Sequence, residues 1–201
     1  MDVLEAMGTA RAIRRFTSEP VSDALLERLI WAATRAPSPG NSQGWEFIVV
    51  TDSAVKAQLG ELIGARMRNV RDSMPPAAHA SERRMLEGAV HLATHLHEVP
   101  AIIFVCGAPV YPPQAPQLSF VWSALYPAAQ NLVLAARALG LGTTFTTFHM
   151  AAEAEVRSVL GVPDEVQLAA MIPVGWPAVP FGPVRRKPVS EVMHRDRWQR
   201  R

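Results

Sequence analysis

The chain has 201 residues, 49% of them hydrophobic and 19% charged, and its formal net charge at pH 7 is +2. These values are typical of a globular protein with one well-buried core, and they exclude a disordered chain and a broadly basic surface for nucleic acid. The single cysteine, Cys106, excludes an intrachain disulfide. No basic segment followed by a long apolar stretch begins the chain, and glycine and proline interrupt its strongest apolar run. We therefore expect neither export nor a membrane partner and predict a cytoplasmic protein.

The first third of the chain predicts two helices and a strand around a polar interruption. A short first helix is expected to end near the basic residues at 11–15. A second helix follows Ser22, because apolar residues recur at helical spacing over 25–33. The apolar run 45–50 is typical of a buried strand, and Ser53 is a suitable start for the next helix.

The polar interruption, Ala36 to Trp45, has the composition of a ligand-binding loop. Two prolines and two glycines prevent a helix or strand from continuing through it. Its hydrogen-bonding side chains are Ser38, Asn41, Ser42 and Gln43. An ordinary connection between a helix and a strand needs fewer residues, so we predict that this loop contacts a ligand.

The rest of the chain alternates helices and strands, and no linker divides it. Residues 67–99 are more polar, and Pro75-Pro76 interrupts them before a predicted helix. This region and the proline-rich segment 107–117 are candidate lids. The later predicted elements are a buried strand at 101–106, a long helix at 118–139, a strand at 143–148, a short helix at 151–160 and a final strand at 168–174.

This organisation predicts a single domain over 1–201. Its last part, 176–201, is a proline-rich and basic C-terminal extension, which we expect to wrap over the surface or over a partner subunit. The final arginines of this extension are expected on a solvated face.

Two basic clusters near the chain ends are candidates for gripping one phosphate. They are Arg11, Arg14 and Arg15 near the start and Arg185, Arg186 and Lys187 near the end. Arginine suits this task because its planar guanidinium donates paired hydrogen bonds and keeps its charge. Each charge-assisted hydrogen bond would contribute about 1.5–3 kcal/mol.

Two other patterns have a plain interpretation beside a functional one. On a helix, Glu87, His91 and His95 form one stripe at i, i+4 spacing, but no further ligand lies at a useful spacing. A polar helix face therefore explains them better than a metal site, and no metal is expected. Ser38 lacks the glycine elbow of a nucleophile, so a hydroxyl that binds a ligand is its favoured role.

Aromatic residues on the long helix are candidates for a substrate pocket. They are Phe120, Trp122 and Tyr126. Aromatic side chains on an apolar helix usually belong to the core, so we expect only one or two of these to line a pocket.

The order of several short motifs resembles that of the FMN-dependent nitroreductase family, nearly from end to end. The motifs are Arg11-x-x-Arg14-x-Phe16 with Pro20-Val21, Ala36-Pro37-Ser38 running to Asn41-x-Gln43-x-Trp45, Pro127-Ala128-Ala129-Gln130-Asn131-Leu132, Gly140-Leu141-Gly142, Pro173-Val174-Gly175 and Arg185-Arg186-Lys187-Pro188. No single motif decides the matter, but the series in this order is specific.

The resemblance implies an α+β fold: a three-layer α-β-α sandwich around a mixed, mostly antiparallel sheet, in an intertwined homodimer with FMN at the subunit interface. It also implies an oxidoreductase that uses NADH or NADPH to reduce nitroaromatics, quinones or related electrophiles by a ping-pong mechanism. The flavin would carry the chemistry, so no catalytic side chain is expected.

By position, the resemblance assigns cofactor contacts to both chain ends and to the loop. The phosphate and ribityl chain would be held by Arg11, Ala12, Arg14, Arg185 or Lys187, and Arg186. The isoalloxazine would be covered by Pro37, Ser38 and Asn41 of the partner subunit, with Gln43 nearby. A backbone N–H of Thr147 or Phe148 would face the flavin N5.

The chain departs from the family pattern in several places. One is Thr146-Thr147-Phe148, the nearest counterpart of a Glu-Gly pair that some relatives have near the flavin N5, so an acidic residue is missing there. Ala10 and Ala12 stand where many relatives have a basic residue and a serine, so weaker FMN binding or compensation by Arg15 is expected. Gly44 stands where proline is common, which is expected to loosen that turn. Two alternatives therefore stay open: a flavin-binding or flavin-sequestering protein with little turnover, and a specialised relative such as a dehalogenase or a flavin-fragmenting enzyme.

Overall fold

The computed structural model describes residues 1–75 and 79–198. Within these ranges the chain forms α1 (Val3–Thr9), α2 (Asp23–Ala33), β1 (Trp45–Val50), α3 (Ser53–Ser73), α4 (Ala80–Thr94), β2 (Ala101–Gly107), α5 (Leu118–Ala138), β3 (Gly142–Thr143), α6 (Glu153–Leu160) and β4 (Gln167–Gly175). Pro76 of the predicted Pro75-Pro76 break lies outside the described residues, as do the last three residues of the C-terminal extension.

The four strands form one sheet in the order β1-β2-β4-β3, and neighbouring strands are antiparallel. Trp45 lies opposite Gly107 and sets the register of the β1 edge strand. In the described residues, parallel pairing is confined to an isolated bridge between Ala12 and Thr143. The expectation of a mostly antiparallel sheet is confirmed, and its mixed character is limited to that bridge.

Helices cover both faces of the sheet, and all seven residues of β2 are buried as a result. Ile103 and Val105 belong to one core together with residues of α2 and α5. Ile102 and Phe104, which alternate with them, belong to a second core with residues of α3, α4 and α6. The predicted α+β, three-layer α-β-α sandwich is therefore confirmed.

The predicted strand at 143–148 is wrong beyond its first residue. After β3, Thr144 still donates its N–H to the carbonyl of Pro173 at 3.3 Å, and an isolated bridge joins Thr146 to Met171. Pro173 has no N–H to return, so the regular hydrogen-bond ladder stops opposite it.

The first helix ends before the basic residues and does not reach them. α1 stops at Thr9, and the chain then turns to run beside β3, where Ile13 donates its N–H to the carbonyl of Thr143 at 2.9 Å. Residues 11–15 therefore lie in an irregular segment, which we call the arginine segment.

The two candidate lids differ in structure. Residues 67–99 complete α3 and form α4, and the two helices pack on each other. Residues 108–117 contain no helix or strand, as expected. A lid function for either segment stays a prediction.

No described helix combines the length and the apolar character needed to cross a bilayer.

Candidate functional site

The two basic clusters lie side by side, because the chain after β4 folds back along the segment that follows α1. Val184 donates its N–H to the carbonyl of Gly8 at 2.9 Å. A Cβ atom placed on Gly182 would lie 3.5 Å from Nη1 of Arg11. The exposed residues that follow Val184 directly are Arg185, Arg186 and Lys187. Residues from opposite ends of the sequence thus form one positively charged surface.

The side chain of Arg14 is half-buried against α4. A Cβ atom placed on Gly88 of α4 would lie 3.2 Å from Cδ of Arg14. The Nε atom of Arg14 is buried and has no hydrogen-bond partner among the described residues. Burial lowers the pKa of Arg14, and the nearby charge of Arg11 lowers it further, although a guanidinium remains protonated at neutral pH. Because buried donors are normally satisfied, this N–H is suited to a ligand that accepts a hydrogen bond.

A cavity of about 210 Å³ opens between the arginine segment and α4. Its polar lining consists of Arg14, Arg15, His91, His95 and Glu98. The rings of His91 and His95 lie 4.2 Å apart between centroids. Burial lowers the pKa of His91, the charges of Arg15 and His95 lower it further, and Glu98 opposes them. His91 is therefore uncharged at neutral pH.

The two histidines line this cavity, whereas sequence analysis assigned them to a polar helix face. Their i, i+4 spacing with Glu87 predicted a shared helix face, and the helix is present, but His91 and His95 line the cavity while Glu87 is exposed. Nowhere in 1–75 or 79–198 do three His, Cys, Asp or Glu side chains come together to hold a metal ion.

The loop between α2 and β1 is held in an unusual backbone conformation. Gly40, Asn41 and Gln43 have φ angles of 58°, 50° and 49°, which lie in the left-handed region. Ser38 Oγ accepts a hydrogen bond from the N–H of Gln43 at 3.1 Å, which closes the loop. Pro37, Asn41 and Gln43 are exposed, so the loop presents their side chains to a neighbour outside it.

The loop is fixed by close packing on the segment that follows β2. A Cβ atom on Gly40 would lie 2.3 Å from the ring of Tyr111, and one on Gly44 would lie 2.6 Å from Val110. Gly44 therefore has a packing role, since its lack of a side chain lets the loop approach Val110. The ring of Tyr111 in turn meets that of Phe120 edge to face at 5.4 Å.

Within one chain the loop and the arginine segment lie far apart, because they contact different parts of α5. A Cβ atom on Gly107 would lie 2.1 Å from the carbonyl of Gly44 and 3.1 Å from Leu125, which places the loop near that residue. Arg137, in the last turn of α5, donates from Nε to Oγ1 of Thr9 at 2.9 Å. The helical rise of about 1.5 Å per residue separates Leu125 from Arg137 by about 18 Å.

The predicted aromatic pocket residues divide between two surroundings. Trp122 and Tyr126 stack at 5.8 Å, and Tyr126 lies 6.0 Å from Phe145, which sequence analysis did not select. Tyr126 and Phe145 are 44% and 42% exposed. Thr147, two residues beyond Phe145, is exposed as well. Phe120 instead packs on Tyr111, beside the loop.

Comparisons with known proteins agree on one family. The profile of the Nitroreductase family matches residues 8–176. A protein of Thermus thermophilus named NADH dehydrogenase is 30% identical over 225 residues, which cover 96% of this chain and 97% of the relative.

Two solved structures share the fold. The oxidized iodotyrosine deiodinase bound to FMN and 3-iodo-L-tyrosine has a TM-score of 0.80 at 22% identity and covers 98% of this chain and 100% of its own. The FMN-bound nitroreductase of Desulfitobacterium hafniense has a TM-score of 0.74 at 22% identity, with coverages of 96% and 98%.

Proposed function

Because the chain belongs to the nitroreductase family, as its motifs predicted, we propose that it is an FMN-dependent oxidoreductase. It would take electrons from NADH or NADPH and reduce a nitroaromatic, a quinone or a related electrophile in a ping-pong cycle. Two observations carry the proposal: the two basic clusters meet, and Arg14 of the first cluster has a buried Nε with no partner in the described part of the chain. The name of the Thermus thermophilus relative supports NADH, and the two FMN-bound structures support FMN.

The exposed part of the basic surface suits the phosphate of FMN. Arg11, Arg185 and Arg186 would donate paired hydrogen bonds to phosphate oxygens. Lys187 is a further candidate at the same surface. Ala12 would contribute only through its backbone, because its side chain has no donor.

The adjoining cavity suits the inner part of the same cofactor. The guanidinium of Arg14 would bind an acceptor there and stabilise negative charge near it. His95 donates from Nδ1 to the carbonyl of His91 at 2.7 Å, which fixes the orientation of its ring in the cavity wall. When bound, FMN would supply the hydride and electron chemistry, and these residues would bind, orient and exclude water.

The second half of the site would come from another copy of this chain. The separation of about 18 Å along α5 supports this, because the loop of one chain cannot cover a ligand held by its own arginine segment. Pro37, Ser38 and Asn41 of a second copy would cover the isoalloxazine, with Gln43 nearby. Thr147 is the favoured N–H donor toward the flavin N5, because the N–H of Phe148 is directed to Oγ1 of Thr146 at 3.5 Å.

The proposal is tested by loading the purified protein with FMN, desalting it and recording the flavin absorbance. We expect one FMN per chain, bleaching by NADH or NADPH without oxygen, and recovery of the oxidised spectrum when a nitroaromatic or quinone is added. A protein that stays colourless after desalting would overturn the proposal. Flavin that binds but is not bleached would favour the flavin-sequestering alternative, to which the missing polar side chains at Ala10 and Ala12 point.

The site assignment is tested with the double variant Arg11→Ala/Arg14→Ala. Two lost charge-assisted hydrogen bonds of about 1.5–3 kcal/mol each raise the Kd of FMN by at least about a hundredfold. Relief of the repulsion between the two charges and loss of the packing of Arg14 on α4 act in opposite directions on the unfolding midpoint of the apoprotein, so this midpoint is measured to show that the double variant is folded. An exposed arginine on another surface, Arg66, provides the control Arg66→Ala, which should bind FMN normally. Stoichiometric FMN in the double variant after desalting would refute the assignment.

A further inference from the structure

Arg137 joins three segments of the chain at the C-terminal end of α5. Its Nε donates to Oγ1 of Thr9 at 2.9 Å, and its guanidinium carbon lies 4.0 Å from the centroid of the Phe181 ring. A cation is favourable in the last turn of a helix, where backbone carbonyls carry partial negative charge. The planar guanidinium can stack on an aromatic ring while it donates in its own plane, which a lysine ammonium cannot do.

The two residues that Arg137 touches flank the two basic clusters. On one side, the carbonyl of Thr9 accepts the N–H of Arg11 at 2.9 Å. On the other side, Phe181 precedes Gly182, the residue whose Cβ position lies 3.5 Å from Nη1 of Arg11. Arg137 therefore connects to both clusters at the point where the chain ends meet.

This junction needs an anchor, because most of what it holds is irregular and positively charged. In the described part of the chain, residues after β4 form no helix or strand apart from a short turn at Val189–Glu191. Arg185 and Arg186 carry like charges that repel Arg11. The backbone hydrogen bond from Val184 to Gly8 and the stacking of Arg137 on Phe181 oppose this repulsion.

We propose that Arg137 is a positioning residue for the phosphate of FMN. It holds the arginine segment and the C-terminal arginines against each other, and it does so without touching the phosphate itself. The inference rests on the proposed function, since it names the residue that organises the same phosphate site. Preorganised donors bind more tightly than donors that must be ordered on binding, so loss of Arg137 weakens phosphate recognition.

The test compares FMN with riboflavin, which lacks the phosphate. Dissociation constants of both flavins are measured by fluorescence quenching for the wild type, Arg137→Met, Arg137→Lys, Phe181→Leu and the double variant Arg137→Met/Phe181→Leu. The control is Arg66→Met, which removes an exposed arginine paired with Glu155 and changes the net charge by the same amount.

We expect Arg137→Met to raise the Kd of FMN about tenfold and to leave that of riboflavin within about twofold. Arg137→Lys should recover little of the loss, because it restores the charge without the stacking plane. Phe181→Leu should weaken FMN binding in the same direction without any change of charge, and its effect should not add to that of Arg137→Met. Arg66→Met should bind both flavins like the wild type.

Different failures have different meanings. A wild type that binds no FMN overturns the proposed function. A wild type that binds FMN, with an unchanged Kd in Arg137→Met and Phe181→Leu, overturns only the role of Arg137. An equal loss of FMN and riboflavin affinity also overturns it, because a general structural effect does not depend on the phosphate. Full rescue by Arg137→Lys would assign the effect to charge and not to positioning.

Discussion

His149 is a fully buried imidazole with only one hydrogen bond in the described structure. Its Nε2 lies 3.1 Å from the carbonyl of Leu168. Since a carbonyl only accepts, Nε2 carries the proton, and Nδ1 is left without a partner among the described residues. Burial lowers the pKa of His149, although the Leu168 carbonyl and Glu153 oppose this effect. The folded protein therefore keeps this ring neutral in conditions where the unfolded chain protonates it.

The buried ring of His149 makes the stability of the protein sensitive to mild acid. In the unfolded chain the ring has a pKa of about 6.5, so the free energy of unfolding falls as the pH drops below that value. One such group contributes a slope of up to about 1.4 kcal/mol per pH unit.

The variant His149→Gln keeps a donor for Leu168 and has no titrating group, so its slope between pH 6.5 and pH 5 should be smaller than that of the wild type. Urea unfolding at fixed protein concentration measures both slopes. Equal slopes would mean that His149 is not the residue responsible.

The loop between α2 and β1 shows how one element obtains its shape from its neighbours. Gly40 has a left-handed φ of 58°, and Gly161, at the end of α6, has a similar φ of 65°. A side chain on Gly40 would collide with Tyr111, whereas a Cβ atom on Gly161 has nothing within 4 Å. The two glycines thus share a backbone strain and differ in the space around them.

The matched variants Gly40→Ala and Gly161→Ala separate these two effects. Gly161→Ala should lower the free energy of unfolding by about 1–2 kcal/mol, because alanine is strained in the left-handed region. Gly40→Ala should lower the free energy of unfolding by more, because Tyr111 must also move. It should also lower the affinity for FMN, because the loop is displaced. Thermal unfolding and FMN titration measure the two quantities. Equal destabilisation by both variants would show that the contact with Tyr111 does not constrain the loop.

The elements that sequence patterns predicted well are those whose pattern alone decides their structure. The helical spacing over 25–33 and the apolar runs at 45–50 and 101–106 gave α2, β1 and β2 with small errors at their ends. The strand predicted at 143–148 failed because its pairing depends on Pro173, a residue of a different strand. The residues at 143–148 do not themselves reveal that a proline lies opposite them and ends the hydrogen-bond ladder.

The candidate site was predicted in part for the same reason. Both basic clusters were identified from residue type alone, and the hydrogen bond from Val184 to Gly8 brings the segments that carry them together, while their role at a phosphate stays a prediction. His91 and His95 were assigned to a polar face, because spacing tells which residues share a face of α4 and does not tell what packs against it. Arg137 gave no signal, since an arginine near the end of a helix is common.

At the scale of the whole molecule, the two segments that we propose to form one site lie apart within a single chain. The start of the arginine segment lies near the C-terminal end of α5, and the loop lies near the N-terminal half of that helix. Large apolar side chains of α1 are exposed in the single chain, among them Val3, Leu4 and Met7. An exposed apolar face of this kind is typical of a protein–protein interface. Both features support the proposed homodimer, in which each site takes one half from each subunit.

Shared sites predict that two defective subunits complement each other. One parent is Arg11→Ala/Arg14→Ala, and the other is Pro37→Glu, which puts a carboxylate on the exposed loop without removing a backbone hydrogen-bond donor. Each parent alone should retain little FMN after desalting.

In a dimer of one parent with the other, isolated through two different affinity tags, one site carries both defects and the other carries none. We expect such dimers to hold about half of the wild-type FMN, because two-fold symmetry gives each dimer two sites. Mixed dimers as empty as the parents would show that both half-sites come from the same chain, and the shared-site proposal would be wrong.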